Sequence, residues 1–233
     1  MKVIIFGASG MVGRGVLREC LLDPEIEGIV SVERGAGGPE SPKLRRLTHQ
    51  DFLNFSAIEK DLTGFDTCFF CLGATAAGST EEAYARVNYD IPVAVGKMLA
   101  RLNPTMTFLY ISGMGTDSSE RGRSMWARVK GRTENALLKL SFKAAYMFRP
   151  GLIVPLNGIR SKTVWYNLFY AGAFPVLWLL YHLAPAYVTT TQRLGLAMIE
   201  AARNGASRPI LETSDIHALY QRSSRRSSPE KAE

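Results

Sequence analysis

Between residues 7 and 13 the chain reads Gly-Ala-Ser-Gly-Met-Val-Gly, directly after a short apolar run, Val3 to Phe6, and where a stretch with helical spacing, Met11 to Leu22, begins. Each glycine has a physical task in that setting. Gly7 permits a sharp turn, Gly10 lets a diphosphate approach the backbone, and Gly13 lets the helix pack close on the sheet. The first N–H groups of such a helix have no intrahelical partner, and with the helix dipole they favour an anion. The chemistry to expect is therefore a grip on the phosphates of a dinucleotide.

A second pair of residues bears on which dinucleotide. Glu33-Arg34 closes the next apolar run, Ile29 to Val32. A carboxylate there accepts hydrogen bonds from a ribose 2′-hydroxyl and repels a 2′-phosphate, and a guanidinium does the opposite. The chain offers both, and Arg14 adds positive potential nearby.

Other reactive side chains point to less. Cys68 and Cys71 form a Cys-x-x-Cys pair, but within Asp-Thr-Cys-Phe-Phe-Cys-Leu-Gly they read as part of a buried strand. Strand alternation sends the two thiols to opposite faces, unlike a redox pair at a helix N-terminus. With Cys20 they make three cysteines, too few for a disulfide framework, and the expected compartment is the cytoplasm. His49, His182 and His217 are scattered, so no metal site is expected. The N-terminus opens on a strand pattern, not on a charged and then apolar leader.

These residues need a frame, and the rest of the chain supplies one. After the first strand, helix and strand comes a Gly- and Pro-rich loop, Gly35 to Pro42. Strands follow at Thr67 to Cys71, Met106 to Ser112 and Ala144 to Arg149, alternating with helices at Glu81 to Leu102 and Ser124 to Leu140. Such alternation predicts an α/β, Rossmann-type, doubly wound parallel sheet with helices on both faces, and ligands bind beyond the carboxyl ends of its strands. A helix at Thr191 to Asn204, a short strand at Pro209 to Leu211 and a helix at Asp215 to Tyr220 close a single domain over residues 1–220.

Thr163 to Gln192 carries no Asp, Glu, Lys or Arg. Residues 151–190 are expected to form a small, apolar appendage on the substrate side. Within it, 163–188 suits an apolar lid or substrate wall first, then an oligomer interface or a contact with a membrane surface, and last a membrane span. Residues 221–233 are expected to be a disordered basic tail, which carries part of the formal net charge of +7. The body is then only mildly basic, which suits an anionic cofactor and predicts no nucleic-acid partner.

Several motifs together resemble the short-chain dehydrogenase/reductase superfamily, in its atypical or extended branch. They are Gly7 to Gly13, Asp51-Phe52, Cys71 to Thr75, Val87-Asn88, Val129-Lys130-Gly131 with Glu134, and Phe148-Arg149-Pro150-Gly151. Within that branch the chain is similar to the Tat-interacting oxidoreductase group, often described only as NAD-dependent epimerase/dehydratase. The resemblance implies that Ser9, Gly10, Met11 and Val12 line the pyrophosphate. It places Asp51 and Phe52 beside the adenine, Leu72, Gly73 and Ala74 along the adenosine ribose, and Pro150 beside the nicotinamide. Arg34 falls in a slot that is basic in NADP-binding relatives, so NADP is the expected cofactor and NAD the second choice.

The same resemblance implies a Ser, Tyr and Lys arrangement, with Ser112 orienting a substrate carbonyl and Lys130 holding the nicotinamide ribose. Four residues before Lys130, where the phenol is due, stands Trp126. Its indole N–H does not titrate in water and cannot exchange a proton as a phenol does. Two functions follow. One is an NADP(H)-dependent oxidoreductase or epimerase-like enzyme on an unidentified small molecule, with the proton drawn from water, substrate, Tyr110 or Tyr84. The other is a dinucleotide-binding sensor or scaffold with little turnover.

Overall fold

The computed structural model describes residues 1–35, 37–159 and 187–226. Seven parallel strands form one sheet: β1 (Lys2–Phe6), β2 (Gly28–Glu33), β3 (Leu44–Thr48), β4 (Thr67–Phe70), β5 (Thr107–Ile111), β6 (Ala144–Arg149) and β9 (Ile210–Glu212). Their order is β3-β2-β1-β4-β5-β6-β9. The winding reverses between β1 and β4, and the crevice beyond those two strand ends is where such sheets place ligands.

Alternation along each strand splits the core in two. Val3 and Ile5 pack on one face with Val16, Leu17 and Met198, whereas Ile4 and Phe6 pack on the other with Phe70, Leu99 and Phe108. The first face is covered by α1 (Met11–Leu22), α5 (Thr191–Asn204) and α6 (Thr213–Arg226), and the second by α3 (Ile91–Leu102) and α4 (Met125–Leu138). Cys68 lies in the second cluster and Cys71 packs on the first, as alternation requires of a strand pair. Burial raises both thiols, Cys71 to about 12, so neither is a ready thiolate.

The expected helix Glu81 to Leu102 is interrupted. It comprises α2 (Glu81–Ala85), one π turn (Arg86–Asp90) and α3. Pro92 has no N–H to give the Asn88 carbonyl, which instead accepts from Thr133 Oγ1 at 2.7 Å and from the Tyr110 hydroxyl at 3.3 Å. The Asn88 side-chain amide donates to the Tyr84 carbonyl at 3.1 Å. The widened turn thus keeps its polar groups partnered while Asn88 faces the sheet.

Two boundaries differ from expectation. A two-stranded parallel ribbon, β7 (Leu152–Val154) with β8 (Val188–Thr190), forms the base of the appendage. The uncharged stretch from 163 to 186 lies outside the described residues. The final helix does not stop at Tyr220 but continues to Arg226, so residues 221–226 are not a disordered tail. Arg222 explains part of the extension: it bonds Glu200 Oε1 at 3.1 Å and the Gly205 carbonyl at 2.9 Å. Arg225 and Arg226 add cations at the negative end of the helix dipole.

Candidate dinucleotide site

At the switch point the backbone is shaped for a close approach. Gly7 has φ of +82°, and a Cβ there would stand 2.6 Å from the Leu72 nitrogen, because the ends of β1 and β4 flank it. A Cβ on Gly13 would stand 2.1 Å from the Gly7 carbonyl oxygen, so the first turn of α1 can dock only if that residue is glycine. Gly10 is the N-cap, with no side-chain cap and no acidic residue in the first turn. The first-turn amides are therefore left for an exogenous anion.

That helix end opens into a cavity of about 1020 Å³, lined by Gly7, Ser9, Gly10, Arg34, Phe52, Leu72 and Gly73 among others. It is at the upper end of the usual size range for cofactor pockets. Met11, Val12 and Gly13 form the helix turn behind the lining. Phe52 is buried edge-on against Phe6, with ring centroids 6.2 Å apart. Its neighbour Asp51 is exposed and outside the lining, where its carboxylate accepts from the Leu53 amide at 3.0 Å. Ala74 also lies outside, its amide donating to Asn88 Oδ1 at 3.3 Å. Its lining gains residues absent from the sequence reading, chiefly Arg18, Arg46 and Asn157 to Ile159. Arg46 in particular has no sequence signal of its own, since only the register of β3 on β2 brings it beside Ser31.

The residues expected to do chemistry lie outside that lining, Ser112 and Pro150 after the ends of β5 and β6 and Trp126 and Lys130 on α4. The Ser112 hydroxyl bonds Thr116 Oγ1 at 2.9 Å, and its amide donates to the Phe148 carbonyl at 2.8 Å. Pro150 is buried, and its carbonyl accepts from Met114. Trp126 is half-buried and lays its indole on the β5–α4 loop, within 3.6 Å of where a Gly115 Cβ would be. It is a wall on that loop rather than part of the helix–sheet core.

Lys130 is buried and points inward: its Nζ donates to the Tyr110 hydroxyl at 2.9 Å and to the Ile111 carbonyl at 3.1 Å. It comes within 3.9 Å of where a Gly73 Cβ would stand, immediately behind the cavity wall. Tyr110 is fully buried and Tyr84 nearly so, and burial pushes both phenols up, Tyr84 to about 12. Neither is the displaced proton donor that the sequence suggested. Alternation along β5 puts Tyr110 beside Phe108 in the core, where its hydroxyl serves Lys130 and Asn88.

Burial also lowers Lys130 to about 8, partly offset by the Glu134 carboxylate. Between about pH 8 and the unfolded value near 10.5 the unfolded chain binds the extra proton, so this group adds stability as pH rises through that window. Urea unfolding of the wild type and Lys130→Met at pH 7 to 10 should show the wild type gaining on the variant with pH. A constant gap would contradict a buried, depressed amine.

Around these groups the scaffold is tied by a buried ion pair. Arg149 Nε lies 3.0 Å from Glu134 Oε1, and its other nitrogens reach Ser118 Oγ at 2.5 Å and Glu212 at 3.3 Å. Next to Lys130, a Cβ on Gly131 would overlap the Asp117 carbonyl at 1.8 Å, which is the close backbone approach that Val129-Lys130-Gly131 suggests. The β5–α4 loop is thereby pressed onto α4.

A parallel sheet in this order, a glycine cradle at its switch point and a buried lysine behind the strand ends define an atypical, or extended, member of the short-chain dehydrogenase/reductase superfamily. The chain matches no protein-family profile. It is 31% identical over 161 residues to the mitochondrial protein FMP52-2 of Scheffersomyces stipitis, covering 68% of this chain and 67% of that one. With fmp52 of Aspergillus fumigatus, also named mitochondrial, it shares 30% identity over 170 residues, covering 70% and 69%. The chain belongs to the FMP52 family. It is also 26% identical over 179 residues to rat HTATIP2, covering 76% and 73%.

Among solved structures, the fold is that of the Bordetella bronchiseptica enzyme WbmF in complex with NAD+, with TM-score 0.66, 15% identity and coverage of 100% of this chain and 79% of that one. Uronate dehydrogenase from Agrobacterium tumefaciens gives 0.64 and 15%, covering 100% and 90%. No helix among the described residues is long and apolar enough to cross a membrane.

Proposed function

We propose that the protein is an NADP(H)-dependent oxidoreductase, of the epimerase/dehydratase-like kind, acting on a small molecule. One observation carries this reading: an uncapped, glycine-built helix N-terminus opens into a dinucleotide-sized cavity at the switch point of a parallel sheet. Solved structures of the same fold in complex with NAD support the cofactor class. When bound, a reduced nicotinamide supplies a hydride to a carbonyl carbon. The protein's part is to grip the diphosphate on the first turn of α1, to hold the nicotinamide ribose near Lys130, and to orient the carbonyl oxygen with Ser112. The proton comes from water or substrate, because Trp126 does not titrate and Tyr110 is buried. NADP is favoured because Arg14, Arg34 and Arg46 outnumber Glu33 around the adenosine end of the cavity. Three free thiols suit a reducing compartment, the cytoplasm or the mitochondrion for which relatives are named.

NADPH consumption against a panel of aldehydes and ketones tests the reading. Ser112→Ala and Lys130→Ala should each lower kcat/KM about a hundredfold, the scale of a lost orienting or proton-managing group. A second reading, a dinucleotide-binding sensor with little turnover, draws on Trp126 and on the Lys130 amine already engaged by Tyr110 and Ile111. Tight NADPH binding with no turnover across the panel would select it.

A further inference from the structure

We infer that Arg46 and Ser31 act on Glu33 to set the nucleotide preference, disarming the carboxylate so that the site takes a 2′-phosphorylated adenosine; this rests on the dinucleotide reading above. A carboxylate at the end of the second strand is the group that should reject such a phosphate. Glu33 occupies that position and lines the cavity, yet it is about nine-tenths buried and its Oε1 is engaged. Ser31 lies two residues earlier on the same face of β2, and its hydroxyl donates to Glu33 Oε1 at 2.5 Å. In the parallel register Ser31 is paired with Arg46 of β3, which brings Arg46 Nε to 3.8 Å from the same carboxylate oxygen. Glu33 is thus held along the strand by a hydroxyl, with a guanidinium nitrogen within ion-pair reach of the same oxygen.

Arg46 has capacity left over. One terminal nitrogen donates to the Pro39 carbonyl, which anchors the β2–β3 loop beside the cavity. Its Nε, in contrast, is buried without a hydrogen-bond partner among the described residues, at 3.8 Å too far from Glu33 to make one. A buried, unsatisfied guanidinium nitrogen is costly unless a ligand partners it. Arg34 is exposed at the strand end and Arg14 lines the same cavity, so three guanidinium groups face a ligand against one restrained carboxylate. That surplus of positive charge matches a phosphate dianion and exceeds what a ribose hydroxyl needs.

Calorimetric titrations with NADPH, NADH, 2′,5′-ADP and 5′-ADP test this on the full chain. The wild type should bind 2′,5′-ADP more tightly than 5′-ADP. Arg46→Met should lower the NADPH-over-NADH preference about tenfold or more, the scale of one charge-assisted hydrogen bond. Ser31→Ala, a small change at a buried site, should lower the same ratio by releasing Glu33 toward the ribose, weakening NADPH and tightening NADH. Glu33→Gln should raise the ratio. Equal loss of both nucleotides in Arg46→Met, together with an unchanged ratio in Ser31→Ala, would overturn the inference, and so would 5′-ADP binding as well as 2′,5′-ADP. A preference lost in Arg34→Ala but kept in those two variants overturns it while leaving the function standing. A wild type that binds none of the four overturns both.

Discussion

Gly10→Asp is expected to make the protein more stable and, in the same molecule, to destroy its affinity for a dinucleotide. Gly10 caps α1 with an extended backbone, φ −79° and ψ 168°, which an aspartate adopts readily. A Cβ there would meet only the Gly7 carbonyl oxygen, at 3.3 Å, a contact that a shift of a few tenths of an ångström relieves. The new carboxylate would accept from the open amides of the first turn and sit at the positive end of the helix dipole. The gain should be about 0.5–1 kcal/mol in chemical unfolding. The same oxygens would occupy the place of the diphosphate and repel it, so NADPH affinity should fall about a hundredfold or more. A stabilised variant that still binds NADPH like the wild type would mean that the helix terminus is not the anion site.

Glu134→Ala should be the most destabilising single change among the groups behind the site. Glu134 is fully buried, and its partner Arg149 is nearly so. Removing one member of such a pair strands the other charge in the interior, at a cost of about 3–5 kcal/mol. Glu212 and Ser118 also touch Arg149 but do not replace the lost carboxylate, since Glu212 is 40% exposed and Ser118 carries no charge. Replacing Glu134 and Arg149 together by methionine should cost less than Glu134→Ala alone, because no charge is then left unpaired. Urea unfolding of the wild type and these two variants measures this, and a double variant less stable than Glu134→Ala would contradict it.

Much of this architecture was legible because its signals are local. A strand that ends in Gly7 and runs into a helix beginning at Met11 states its own geometry, since steric exclusion at Gly7 and Gly13 is a property of neighbouring backbone. The break in the helix at Asn88 departs from the continuous helix expected over Glu81 to Leu102, although its cause, Pro92, is local. What stayed hidden depended on pairing across the sheet. Leu44–Thr48, with two adjacent arginines at an edge, has no clean period and gives no hint that its second arginine lies beside Ser31. Tyr110, one of the proton sources the sequence offers, is excluded by alternation with Phe108, which points it into the core. The boundary at Tyr220 failed because a polar, arginine-rich sequence resembles a tail until Glu200, on another helix, supplies a partner for Arg222.

The claim on which the rest depends is that α1 holds a nicotinamide dinucleotide by its phosphates. Isothermal titration of the purified full chain with NADP+ and NAD+ addresses it directly. One-to-one binding with NADP+ the tighter of the two is the predicted result. No heat from either nucleotide at millimolar concentration would contradict it.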